Sequence, residues 1–144
     1  MDHLTFGLAF AAYVLLAADV AARAWGIRKR GLTFILAVVL TAHVALVWGH
    51  RFGWSIEWAL AKGWTGFVVF HAAYAAIVAA AVAREPWATR LLFAAFPVAS
   101  AGAIGAAFKY DYVNGLRFPL LAVLAIAIVA AGLGWKRRLN DSAA

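Results

Sequence analysis

Five apolar runs separated by short polar joints leave this chain few ways to fold. They cover residues 5–24, 31–49, 63–83, 91–108 and 116–135. Each holds about 18–21 residues, and roughly 20 residues rising 1.5 Å each cross a hydrocarbon core ~30 Å thick. Backbone in lipid must satisfy its own hydrogen bonds, so runs of this length are expected to be helices. Barrel strands would be half as long and would alternate in polarity. The expectation is an all-α integral membrane protein: one membrane domain over residues 1–144, built as a bundle of five transmembrane helices. Composition agrees, because a chain that is 67% hydrophobic and 13% charged has too little polar surface to cover a soluble core.

The joints carry the punctuation such a bundle needs. Arg28, Lys29, Arg30 and Gly31 part the first two runs, and Arg84, Glu85, Pro86 and Trp87 part the third and fourth. Pro86 suits the first turn of a new helix, whereas Pro97, inside the fourth run, predicts a kink. Residues 109–115 form a turn-rich link. Residues 50–62, with Trp54 and Trp58, read either as a short amphipathic helix in the interface or as a plain loop. The first run has no basic segment before it and is too long for a signal-peptide core, so a retained helix is expected.

The net charge of +7 is not a nucleic-acid signal, because the cations cluster between apolar runs. In a five-span arrangement Arg23, Arg28, Lys29, Arg30, Arg84, Arg90, Lys136, Arg137 and Arg138 share one side. Arg51, Lys62, Lys109 and Arg117 share the other. The imbalance places the C-terminus in the cytoplasm and the N-terminus outside. The Ala-rich composition points to a bacterial inner membrane, with the periplasm outside. Trp25, Trp48, Trp54, Trp64, Trp87 and Trp135 lie near span ends, as an interfacial aromatic belt does.

Ionisable groups inside spans are costly and therefore point to function. Asp19 stands four residues before Arg23, and an ion pair that snorkels to the interface is the simplest expectation. His43 and His71 lie on successive antiparallel spans, each roughly 10–12 Å inside the outer surface at 1.5 Å per residue. Imidazoles at matching depth suit the two faces of a b-type haem, with His43 and His71 as iron ligands. Arg51, Lys62, Lys109 and Arg117 would then meet the propionates. His50, one heptad above His43, is a further candidate at the same site. Ser100, Ala101, Gly102 and Gly105 would leave room for a macrocycle or allow close helix contact.

Other readings use the same residues. The histidines would equally serve polar packing, with Thr41, Thr65 or Tyr74 as partners, or a quinone contact. Residues 109–112 offer polar groups to a quinone head. With no cysteine and one Met, thiolate sites, iron–sulfur clusters, attached c-type haem and copper(I) are disfavoured, and the spans lack the Glu and His of a di-iron site. No nucleotide-binding, nucleophile-elbow or zincin motif is present. The leading expectation is a small haem b protein carrying electrons between a periplasmic partner and quinone, or an electron-transfer subunit of a respiratory-type oxidoreductase complex. The alternatives are a cofactor-free structural or assembly subunit among other membrane proteins, and a small transporter.

Overall fold

The computed structural model describes residues 2–61 and 63–143. Its elements are α1 (Asp2–Ala24), α2 (Arg30–Phe52), α3 (Ile56–Ala61), α4 (Trp64–Val82), α5 (Trp87–Lys109), a 3-10 turn (Asp111–Leu116) and α6 (Arg117–Ala143). All but α3 and the 3-10 turn are helices long and apolar enough to cross a membrane, consistent with an integral membrane protein. The five runs correspond one to one with these helices, but the helices α1, α2, α5 and α6 outrun the apolar stretches. α6 continues past Trp135 because Lys136, Arg137, Arg138 and Leu139 are all competent helix formers. α5 starts at Trp87 and runs unbroken through Pro97. Residues 56–61 are helical, and Trp54 and Trp58 stand 69% and 67% exposed, an arrangement suited to a membrane interface.

Glycine and arginine terminate the helices. Gly26, at φ +80°, ends α1: its N–H bonds to the Arg23 carbonyl at 3.0 Å and that of Ile27 to Ala22 at 2.9 Å, the double closure of a Schellman motif. Gly53 ends α2 in the same left-handed region. The last carbonyls of a helix lack intrahelical partners. Arginines from elsewhere donate to three carbonyls at these ends: Arg30 to Ala83 O (3.2 Å), Arg117 Nε to Ala107 O (2.7 Å) and Arg138 to Arg23 O (3.3 Å), the last in addition to the Gly26 N–H. Each cation also lies where the helix dipole favours it.

α1 is the central helix. It packs against α2, α5 and α6, while α4 closes the bundle between α2 and α5. Accordingly 39% of its most apolar stretch is buried, against 11% for α4 and α6. One apolar cluster runs through the bundle from Leu16 and Val20 of α1, through Leu36 and Leu40 of α2, to Ile77 of α4 and Leu92 of α5. At the opposite side of α1, Gly134 of α6 lies so close to the Ala24 backbone that a Cβ there would sit 2.8 Å from the Ala24 carbonyl carbon. Trp25 Nε1 donates to Ala130 O across the same contact at 2.9 Å. The periphery stays apolar: Phe34, Ile35, Val68, Ile126, Val129 and Leu133 all point outward. This is more exposed apolar surface than a soluble monomer carries, and what a lipid-facing bundle presents.

Candidate functional site

The two ends of the bundle differ in chemistry. At one end the C-terminus of α1, the start of α2 and the α4–α5 joint converge on Arg23, which is 2% exposed. Its Nε donates to Asp19 Oδ1 at 2.8 Å, one Nη to Glu85 and to Thr89 Oγ1 (2.9 Å), and the other Nη to Thr33 Oγ1 at 2.9 Å. The hydroxyls pass their protons on: Thr33 donates to Asp19 Oδ2 at 2.5 Å and Thr89 to Glu85 Oε2 at 2.7 Å. The Asp19–Arg23 pair therefore forms as the spacing predicts, but it does not snorkel. Asp19 is fully buried, because α2 and the α4–α5 joint supply enough partners to hold both charges inside. Burial pushes the Glu85 carboxyl up, but hydrogen bonds from Thr89 and Arg23 and the charges of Arg23 and Arg28 outweigh it. The group is held below its ordinary value. No buried side-chain nitrogen or oxygen among the described residues lacks a partner, so this end is chemically closed.

The other half of the bundle is hollow. A cavity of about 690 Å³ lies between α1, α2, α4, α5 and the start of α6, within the size range of small-molecule sites. Its walls are almost wholly apolar, from Phe6, Phe10, Leu40, Phe70, Val98 and Leu120 among others. Two tyrosines line it, and their hydroxyls are engaged. Tyr13 pairs with Ser100 at 3.0 Å. Tyr74 lies 3.2 Å from Thr41, whose own proton goes to Ala37 O, so Tyr74 is the donor. His43 is the one imidazole on the wall. Its Nδ1–H donates to the Thr5 carbonyl at 2.9 Å, because a carbonyl can only accept. The lone pair is thereby fixed on Nε2, which has no protein partner among the described residues.

His71 stands differently. Its Nδ1–H donates to Phe67 O at 2.7 Å and its Nε2 accepts from Trp48 Nε1 at 3.0 Å. Both nitrogens are committed, and Phe67 and Phe70 enclose the ring at 4.0 and 5.4 Å between centroids. The matching depth of the two histidines thus does not bring them to one cavity. Trp48, near the end of α2, is the partner of His71.

His50 is exposed and Lys62 lies outside the described residues. Arg51 packs over Phe6 and Tyr110 (5.8 and 5.1 Å), Lys109 over Tyr110 (5.7 Å) and Arg117 over Phe108 (5.2 Å). Arg117 also pairs with Asp111 at 3.6 Å. These cations gather at the His43 end, with Phe6 and Ala107 linking them to the cavity wall. Among the described residues, no three His, Asp or Glu side chains come together as a metal site would require. Of the small residues on α5, Ser100 serves a helix contact, whereas a Cβ added to Gly102 or Gly105 would meet nothing within 4 Å. Gly102 therefore makes room rather than close contact.

Thr33, Glu85 and Thr89 were not singled out from the sequence. The available signal was thin: Glu85 is one of six acidic residues in the chain and has Thr89 at i+4. Comparison of the chain with protein-family models, curated proteins and solved structures gives no match.

Proposed function

We propose that the bundle spans a membrane with its N-terminus outside and that the cavity binds a quinol-class, lipid-soluble ring compound in the outer half. The charge imbalance between the two sets of joints supports the orientation. The observation that carries the ligand class is His43: its backbone-fixed tautomer leaves Nε2 as an acceptor without a protein partner among the described residues, on a largely apolar wall where the Tyr13 and Tyr74 hydroxyls are already engaged. A flat apolar molecule bearing a hydroxyl matches that pattern, with one polar group fixing its orientation. A periplasmic redox partner, and carriage of electrons between it and quinone, complete the proposal.

Haem b is the second reading, favoured by the same observation. Metal-ligating histidines usually donate their other ring N–H to a carbonyl or carboxylate, as His43 does to Thr5. Here His43 would be the sole protein ligand to iron, and Arg51, Lys109 and Arg117 would face the propionates.

Titration of the purified protein in lipid nanodiscs with ubiquinol, alongside its absorption spectrum, tests both readings. Saturable ubiquinol binding, weakened about tenfold (~1.4 kcal/mol) in His43→Phe, is expected, since one hydrogen bond is lost. His71→Phe should bind as the natural chain does. A Soret band abolished by His43→Phe would replace quinol with haem. No band and no binding would leave a lipid-filled cavity and favour a structural subunit.

A further inference from the structure

We infer that the ligand reaches the cavity sideways from the bilayer, through a gap between α4 and α5, and carries an apolar chain that trails through that gap. This rests on the cavity being a ligand site. The exposed residues of the cavity wall are confined to two helices: Gly66, Val69 and Phe70 of α4, and Pro97, Ala101 and Gly102 of α5. The wall residues contributed by α1, α2, the 3-10 turn and α6 are buried or half-buried. The exposed part of the wall thus lies on α4 and α5.

The packing explains the gap. α4 and α5 are joined at residues 83–86, and near that joint Ile77 and Ala80 pack with Ala88, Leu92 and Ala95 in the common core. Farther from the joint Ala73 is the last residue of α4 in that buried core, and Gly66, Val69 and Phe70 beyond it are exposed. A Cβ added to Gly66 or Gly102 meets nothing within 4 Å.

The position of the gap selects the ligand. Gly102 lies seven residues, about 10 Å along the axis, from the end of α5, inside a candidate span. All six residues at the opening are apolar, so it faces acyl chains and offers a water-borne polar molecule nothing to bond. A polyprenyl quinol fits on both counts. Its ring reaches His43 while its tail stays in lipid.

The test is stopped-flow binding to the full chain in nanodiscs, using ubiquinols of short and long isoprenoid tail. Gly102→Phe and Gly66→Leu would fill the gap from opposite sides, and helicity and melting temperature identify the folded variants. Association of the long-tailed ubiquinol should slow about tenfold or more in either folded variant, and that of the short-tailed one less than about threefold. His43→Phe should instead weaken both at equilibrium. Equal slowing of both tails, or slowing of neither, overturns sideways access while leaving the cavity reading intact. Failure of the natural chain to bind either ubiquinol overturns both.

Discussion

Replacing Arg23 by Met tests whether the closed end of the bundle is held by charge pairing or merely tolerates it. Met keeps most of the side-chain length and removes the guanidinium. Four partners lose their donor at once: Asp19, Thr33, Glu85 and Thr89. Asp19 suffers most, because it is fully buried and keeps only the Thr33 hydroxyl. Removing one partner of a buried pair costs about 3–5 kcal/mol, most of it from the uncompensated charge left behind. Glu85 adds less, since a quarter of its side chain is exposed and water can replace part of what it loses. The assay is reversible unfolding from mild detergent into denaturing detergent, followed by helicity. Arg23→Met should cost about 3–5 kcal/mol, and Asp19→Leu a similar amount. The double variant Arg23→Met/Asp19→Leu should cost much less than the sum, because no unpaired charge remains between those two positions. A single-variant cost below about 1 kcal/mol, or strict additivity, would refute the reasoning and reduce the network to an ornament of the interface.

Two further outcomes follow from local geometry. Gly134→Ala places a Cβ 2.8 Å from the Ala24 backbone, so α6 must back away, at a cost of about 1–3 kcal/mol. Gly132→Ala, with nothing within 4 Å, should be neutral or slightly stabilising; thermal melts of the pair check both. Because the folded value of Glu85 lies below the unfolded one, its contribution is present above the ordinary carboxylate range and is lost as pH falls through the lowered value. Glu85→Gln should remove that component from a stability profile taken on acidification, and an unchanged acid limb would show that the ion pair is not its source.

The five helices were legible because length and apolarity act locally: a run of about 20 apolar residues has one economical fate in lipid. The joints were legible for the same reason, through the charged clusters at residues 28–31 and 84–87 and the turn-rich link at 109–115. What periodicity could not supply was which helix faces which. Asp19 and Arg23 are neighbours at i,i+4, so their pairing was visible. Their burial was not, because it depends on Glu85 and Thr89, more than sixty residues away in sequence. His43 and His71 illustrate the same limit. Rise per residue set their depth, but ring direction depends on the neighbours each side chain meets, Thr5 for one and Trp48 for the other. The cavity was harder still, because a hollow is an absence of packing, and Gly102 reads alike in sequence whether it admits a neighbour or a void.

The reach of the Arg23 network along the chain has a consequence for assembly. Arg23, Asp19 and Thr33 all belong to the first two helices and are available to one another as soon as those helices exist. Glu85 and Thr89 are made only after α4. Until then one Nη group of Arg23 lacks two of its acceptors, and the first hairpin carries a polar cluster that is incomplete. Docking of the α4–α5 joint completes it. The hairpin that satisfies the last donors of Arg23 also lines the cavity, whose wall is completed only when Val113, Leu116 and Leu120 follow it in the chain, so the hollow half of the bundle is the later to be enclosed.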